Sequence, residues 1–300
     1  MKQAQNKTIP TPPVFDTFSI KSVLKQARNK LQAISETAAL DAELLLAKCI
    51  QKNQTYLHTW PEKILTTKQY DCFQNLLKKR LEDYPIAYLI GEKPFWTFEL
   101  LVTPDVLIPR PETELLVETA LEKIQTRKQP KILDLGTGSG AIALAIASER
   151  PDAQLTATDS SNAALDIAKK NALKYQQEYQ LENRIAFIQS NWFTKLKGKK
   201  FDLIVSNPPY IAPDDPHLLQ TIRHEPKSAL TSNNAGMADI EHIIKHATQF
   251  MNKNAWLILE HGYDQSQKTQ TLLKNAGFIN IESKKDLNGI YRISLAQLGG

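Results

Sequence analysis

Cysteine is nearly missing: Cys49 and Cys72 are the only two among 300 residues. They lack metal-ligand spacing and fall in segments of helical apolar periodicity, so two small, reduced, buried thiols are expected and no metal site. Long apolar runs are missing as well. The nearest, Ala141 to Ala147, falls far short of the roughly 20 residues a bilayer span needs, so a soluble protein with no membrane partner is expected. Residues 1–18 carry Pro10, Pro12 and Pro13 but neither an apolar h-region nor arginine enrichment, which argues against a leader or transit peptide and predicts a disordered tail. Charge of one sign is also lacking: 37 Lys+Arg against 32 Asp+Glu leave a net +5. The basic residues are scattered apart from short runs such as Lys197, Lys199 and Lys200, which read as solvated faces rather than a phosphate-binding groove. No internal repeat or low-complexity tract is visible.

What is present is ordinary globular material, 42% hydrophobic and 23% charged over a length that suggests one large and one smaller domain. From Ser19 to about Tyr84 the apolar residues recur at helical spacing, among them Leu40, Leu44, Ala47, Phe73, Leu76, Leu77 and Leu81. Pro85 and Gly91 break that pattern. An aromatic and β-branched stretch from Phe95 to Thr103 follows, consistent with a hairpin arm. Pro111 then stands where a first helical residue belongs, with Glu112 and Glu114 at the positive end of the helix dipole.

Beyond a helix ending near Ile124 the chain alternates. Strand-like runs at Lys131 to Leu135, Leu155 to Asp159, Ile185 to Ile188, Phe201 to Val205 and Trp256 to Glu260 are mostly separated by helical segments, which predicts an α/β domain with a mostly parallel sheet. A helix near Gln265 to Asn275 and runs at Phe278 to Ile281 and Ile290 to Ile293 could close the sheet with an antiparallel pair. The domains expected are a tail over 1–18, a helical domain over 19–90, a hairpin linker over 91–110 and the α/β domain over 111–300.

Two motifs carry chemistry. Asp134-Leu-Gly-Thr-Gly-Ser-Gly140 follows the first strand of the sheet and runs into a helix, and glycines there let backbone approach a ligand. One strand later Asp159 offers two acceptor oxygens, suited to both hydroxyls of a ribose; the competing role is a helix N-cap, which Ser160 or Ser161 could serve equally. The second motif, Asn207-Pro-Pro-Tyr210, ends the fourth strand, where open α/β sheets collect ligands. Two prolines alone would suit a strand-ending turn. An amide before them and an aromatic after them suit a planar NH2: the Asn207 oxygen and the Pro208 carbonyl can each accept one N–H, and Tyr210 can stack on the flat group. Asn is no strong base, so the proton is expected to leave to water.

At this point the chain resembles the N5-glutamine methyltransferases called PrmC or HemK. The resemblance rests on Asp41-Ala-Glu-Leu-Leu45, Pro85-Ile-Ala-Tyr-Leu89, Phe95-Trp96, Leu107-Ile-Pro-Arg-Pro-Glu-Thr-Glu114, Asp134 to Gly140, Asn191-Trp-Phe193, Ser206-Asn-Pro-Pro-Tyr-Ile211, Glu225-Pro226 and Leu259-Glu-His-Gly262. It implies a class I S-adenosylmethionine-dependent methyltransferase fold, Rossmann-like with a mostly parallel seven-stranded sheet, behind a small N-terminal helical domain and a β-hairpin. It implies that Gly136, Thr137, Gly138, Ser139 and Gly140 wrap the methionine part of the cofactor, that Asp159 holds its ribose and that Trp192 borders the adenine; core packing is an equal alternative for Trp192. Asn207 would touch cofactor and substrate, with Pro208, Pro209 and Tyr210 in the substrate site. Arg110 and Glu112 resemble the family's interdomain loop, with a helix start as the structural alternative.

The implied substrate is the glutamine of the Gly-Gly-Gln motif of class-1 peptide chain release factors, with S-adenosylhomocysteine as product. A bacterial cytoplasmic enzyme, monomeric and without direct nucleic-acid contact, is expected. His224 departs from the aromatic often found before Glu-Pro, and 174–183 looks slightly long. Three rivals differ in class or partner. A DNA adenine-N6 methyltransferase would share the NH2 logic but needs a basic recognition domain that is not apparent. A ribosomal-protein glutamine methyltransferase would differ chiefly in what docks, and a binding-only relative would not call for Asn207. For the helical domain, docking of the release factor is favoured over a stabilising appendage, because a small flexible loop offers little affinity of its own.

Overall fold

The computed structural model describes residues 18–182, 184–219 and 222–300. Apart from Phe18, the expected tail lies outside them. The chain forms two compact units, Met1–Ile90 and Gly91–Gly300.

The first unit holds α1 (Ile20–Leu31), α2 (Ala38–Ile50), α3 (Gln54–Thr59), α4 (Thr67–Leu81) and α5 (Ile86–Ile90). Their starts are written locally. Ser19 and Asn53 accept backbone N–H bonds at the first turns of α1 and α3, and Thr66 with Gln69 forms a capping box on α4. Ile20, Val23, Ala27 and Leu31 of α1 meet Ala42, Leu45 and Leu46 of α2 and Phe73 and Leu77 of α4 in one core. Leu40 and Leu81, expected in that stripe, are exposed. Helix α2 is apolar nearly all round, so periodicity alone did not fix which face turns inward.

Cys49 and Cys72 correct a second expectation. They pair as a disulfide between α2 and α4 with Cα atoms 5.8 Å apart, instead of lying as separate thiols. Their sequence separation of 23 residues carries no local sign of the pairing; the packing of α2 on α4 creates it. The same two helices share an ion pair, Arg80 Nε donating to Asp41 Oδ2 at 2.8 Å, and Asp41 also accepts from Ser35 and Thr37. Asp41 is buried. Arg80→Ala should therefore cost about 3 kcal/mol by leaving a buried charge short of its cation. Chemical denaturation of the whole chain measures this, and a loss under about 1 kcal/mol would class the pair with solvated surface bridges.

The second unit opens with a hairpin, β1 (Glu92–Phe95) and β2 (Phe98–Leu101). Side chains from later elements fasten it: Glu114 accepts from Trp96 N, and Asn171 both accepts from Leu101 N and donates to Leu101 O. A short 3-10 turn (Pro111–Thr113) leads into α6 (Glu114–Ile124). Then follow β3 (Lys131–Leu135), α7 (Ala141–Glu149), β4 (Gln154–Asp159), α8 (Asn162–Lys174), β5 (Ile185–Gln189), β6 (Phe201–Ser206), α9 (Lys227–Leu230), α10 (Ala238–Ala247), β7 (Met251–Glu260), α11 (Ser266–Asn275), β8 (Phe278–Lys285) and β9 (Tyr291–Leu298).

The seven strands run in the order β5-β4-β3-β6-β7-β9-β8, parallel from β5 to β7 and antiparallel across β7-β9-β8. Strand alternation divides the core in two. Ile132, Leu203, Val205 and Ile258 face α6 and α7, while Leu133, Leu135, Ile204, Leu257 and Leu259 face α10 and α11. Strand order reverses between β3 and β6, which places a crevice at their carboxyl ends. Strands β7 and β8 are longer than expected, reaching into the polar stretches 252–254 and 282–285, where sheet pairing overrides composition. Among the described residues no helix is long and apolar enough to cross a membrane.

Candidate active site

The loop after β3 is tied to the next strand by its own backbone. Gly136 N and Thr137 N donate to Thr158 O at 2.9 and 2.8 Å. Thr137 Oγ1 donates inward to Asp134 at 2.6 Å, and the Ser139 carbonyl accepts from Asn171 at 2.9 Å. Gly140 has φ +85°, and a Cβ there would lie 3.2 Å from Ala168 Cβ, so a glycine lets α7 start against α8. Gly138 has φ +54° and open space where a Cβ would stand, which leaves room for a ligand.

At the end of β4, Asp159 accepts from Gly138 N at 3.0 Å through one oxygen and from Ser161 N at 2.9 Å through the other. Ser161, not Asp159, caps α8, its hydroxyl accepting from Ala164 N. Each Asp159 oxygen keeps a lone pair for another donor.

Beyond β6, Ser206 Oγ donates to Leu135 O at 2.7 Å, clamping the two strand ends together. Asn207 Nδ2 donates to Thr113 Oγ1 at 3.2 Å. Pro208 is buried. The Tyr210 hydroxyl donates to Glu260 Oε1 at 3.4 Å, and the Tyr210 carbonyl accepts from Gln265 at 2.9 Å. Trp192 has φ +48° and donates from its indole to Asp239 at 3.2 Å.

These pieces surround a cavity of about 260 Å³ walled by Gly136, Gly138, Asp159, Trp192, Asn207 and Pro209 together with Asn191 and Asp239. Thr137, Ser139, Gly140, Pro208 and Tyr210 do not wall it. Thr137 and Ser139 are buried behind the loop, and the Tyr210 ring packs against the core that contains α10. The Tyr210 hydroxyl reaches Glu260. An indole, two glycines and a carboxylate in one cavity wall suit a nucleoside, and Asn207 and Pro209 wall the same cavity.

Two buried carboxyls, Asp134 and Glu260, belong to motifs named above but were given no role of their own there. Burial raises Asp134 from its ordinary 3.8 to about 7, and Glu260 from 4.5 to about 7. Each leaves one oxygen without a hydrogen-bond partner among the described residues. Burial, with Glu260 alongside, also pushes the Tyr210 hydroxyl well above its ordinary range, so it stays protonated. The signal in the sequence was thin: an acid at the end of a strand, which β4 also has in Asp159.

Because both carboxyls hold a proton more tightly when folded, their contribution to stability is full below about pH 4 and is lost as pH rises through about 7. Asp134→Asn should therefore flatten the fall in Tm between about pH 4 and 7, gaining on the parent protein as pH rises. Parallel Tm curves for the two proteins would count against a strongly raised Asp134.

Residues 111–240 match the Methyltransferase small domain family and residues 22–91 the PrmC N-terminal domain. The release factor glutamine methyltransferase of Shewanella oneidensis is 42% identical over 286 residues, covering 95% of this chain and 98% of that protein. The Vibrio cholerae protein of the same description is 45% identical over 94% of this chain and 97% of its own length. This chain belongs to the release factor glutamine methyltransferase family. A solved methyltransferase from Pyrococcus furiosus shares the fold of this family member with a TM-score of 0.52, 15% identity and coverage of 76% of this chain and all of that one. This protein is thus a methyltransferase, with a seven-stranded sheet and the helical N-terminal domain of its family.

Proposed function

We propose that this enzyme transfers a methyl group from S-adenosylmethionine to the side-chain amide nitrogen (N5) of the glutamine in the Gly-Gly-Gln motif of class-1 peptide chain release factors, acting as a monomer in the bacterial cytoplasm in support of translation termination. The observation that carries this reading is Asn207, a carboxamide that walls the same cavity as Asp159, Trp192 and the glycine loop and is held by a hydrogen bond to Thr113. Membership of a family whose relatives are named for release factor glutamine methylation supports it.

S-adenosylmethionine, when bound, supplies an electrophilic methyl sulfonium. Asp159 holds the ribose hydroxyls, Trp192 borders the adenine, and Gly136 and Gly138 give close backbone approach to the methionine part, with Thr137, Ser139 and Gly140 fixing the loop's shape from behind. Asn207 Oδ1 accepts one N–H of the substrate amide and the Pro208 carbonyl the other, which orients the nitrogen and pushes electron density onto it; Pro209 walls the entrance. Tyr210 stacks on the flat substrate group, its hydroxyl held by Glu260. Positioning supplies most of the rate, since no side chain here is a strong base and the proton leaves to water. The helical unit grips the release factor while the short Gly-Gly-Gln loop enters.

The test is tritiated methyl transfer into purified class-1 release factor against its Gly-Gly-Gln to Gly-Gly-Ala variant, with ribosomal proteins and plasmid DNA in parallel. Label that requires the glutamine supports the proposal. Label found only in ribosomal protein or DNA overturns the substrate and keeps the amine chemistry.

A further inference from the structure

We infer that Glu225 is a positioning residue for the cofactor: its one buried carboxylate ties together two walls of the cavity that come from separate stretches of chain. This rests on the reading of that cavity as the S-adenosylmethionine site. Besides Asp159, Trp192 and the glycine loop, the cavity is lined by Val106 and Leu107 from one stretch and by Pro226, Ser228 and Ala229 from another. Neither stretch belongs to a strand, so the ladder that fixes the strand ends does not fix them.

Glu225 stands next to the second stretch and reaches the first. Its side chain is 2% exposed. Oε2 accepts from Ile108 N at 3.0 Å and Oε1 from Arg110 Nη2, across 117 and 115 residues of sequence. A carboxylate taken out of water needs a cation and hydrogen-bond donors, and here both lie on the stretch that supplies Val106 and Leu107. The second stretch is fastened at its far end as well. Ile211 N donates to Leu230 O at 3.0 Å and Ser232 N to Ile211 O at 2.9 Å, directly beyond the Asn207 to Tyr210 tip. Pro226, Ser228 and Ala229 therefore lie between two fastenings, and Glu225 is the one that joins them to Val106 and Leu107. Removing its carboxylate takes the acceptor from the N–H of Ile108, a buried residue, and cuts the tie between the walls. Arg110, whose side chain is 33% exposed, can then turn to water.

Calorimetric titration of S-adenosylmethionine and hydrogen exchange test this on the whole chain. Walls in place about one-tenth of the time raise the dissociation constant about tenfold, and that is the loss expected in Glu225→Ala. The KM for cofactor should rise with it, while kcat at saturating cofactor stays near the parent value. Glu225→Gln keeps an acceptor for Ile108 N but loses the charge facing Arg110; it should show a smaller loss in the same direction, and it carries the test if Glu225→Ala does not fold. Without cofactor, amide exchange over 106–110 and 226–231 should quicken in Glu225→Ala. Arg150→Ala, which removes bonds to the Ile124 and Arg127 carbonyls, should lower Tm and leave cofactor affinity unchanged. Parent-like affinity in Glu225→Ala, unchanged exchange in both stretches, or an equal loss of affinity in Arg150→Ala overturns the inference and leaves the proposed cofactor standing. If the parent protein binds no S-adenosylmethionine but exchange in both stretches still quickens in Glu225→Ala, the cofactor reading fails and the tie between the walls remains.

Discussion

Asn207→Ala should lower turnover on the release factor by about 10³-fold, in the upper range seen when a single preorganised polar group is removed from an active site. The affinity for S-adenosylmethionine should move by no more than a few-fold. The split follows from the proposed roles. Asn207 walls the cavity together with Gly136, Gly138, Asp159 and Trp192, which carry the cofactor contacts. Truncation leaves that surface intact and removes the oxygen that orients the incoming amide, a contact whose worth is realised as the nitrogen attacks. Thr113 would lose its donor as well, a single hydrogen bond, so the fold should lose little. Single-turnover methyl transfer at saturating cofactor, paired with calorimetric titration of S-adenosylmethionine, reads the two quantities separately. Parent-like turnover would remove the orienting role altogether. An equal loss in cofactor affinity would make Asn207 a part of the nucleoside site instead.

The difference between what the residues announce and what only the fold reveals runs along this same line. The Asp134 to Gly140 turn, Asp159 and the Asn207 to Tyr210 tip are each contiguous with a strand end, so local pattern places them. An alternating parallel sheet then delivers all three strand ends to one crevice. Thr113 has no such mark. It sits in a stretch that reads as a helix start, and its bond to Asn207, 94 positions away, is made only by the fold. Asn171 is alike: a polar residue in mid-helix whose carboxamide ties both the hairpin and the glycine loop to α8. Tyr210 is legible as part of a motif, while the contact of its hydroxyl with Glu260 is not, because it exists only where β6 and β7 lie side by side. The Cys49–Cys72 pair in the helical unit has the same origin, since periodicity places each residue on a helix face but cannot say which faces meet.

Asp159→Ala should act in the opposite sense to Asn207→Ala, weakening S-adenosylmethionine binding by about 10²-fold or more and sparing kcat at saturating cofactor. An ionised carboxylate accepting two ribose hydroxyls makes two charge-assisted hydrogen bonds, each worth about 1.5–3 kcal/mol, and 1.4 kcal/mol is a tenfold change in affinity. Part of that gain is offset, because burial raises the Asp159 carboxyl above its ordinary value while the N–H groups of Gly138 and Ser161 pull it back down. Those two backbone contacts also complicate the alanine variant, which could loosen the glycine loop as well as remove the ribose acceptor. A ligand change separates the two effects. If Asp159 holds the ribose, the parent protein should bind a 2′-deoxy analogue of S-adenosylhomocysteine more weakly than S-adenosylhomocysteine itself, and the Asp159→Ala variant should no longer distinguish them. A variant that binds both weakly yet keeps the preference would place the loss in the loop, and unchanged affinity for both would assign Asp159 to bracing Gly138 and Ser161 alone.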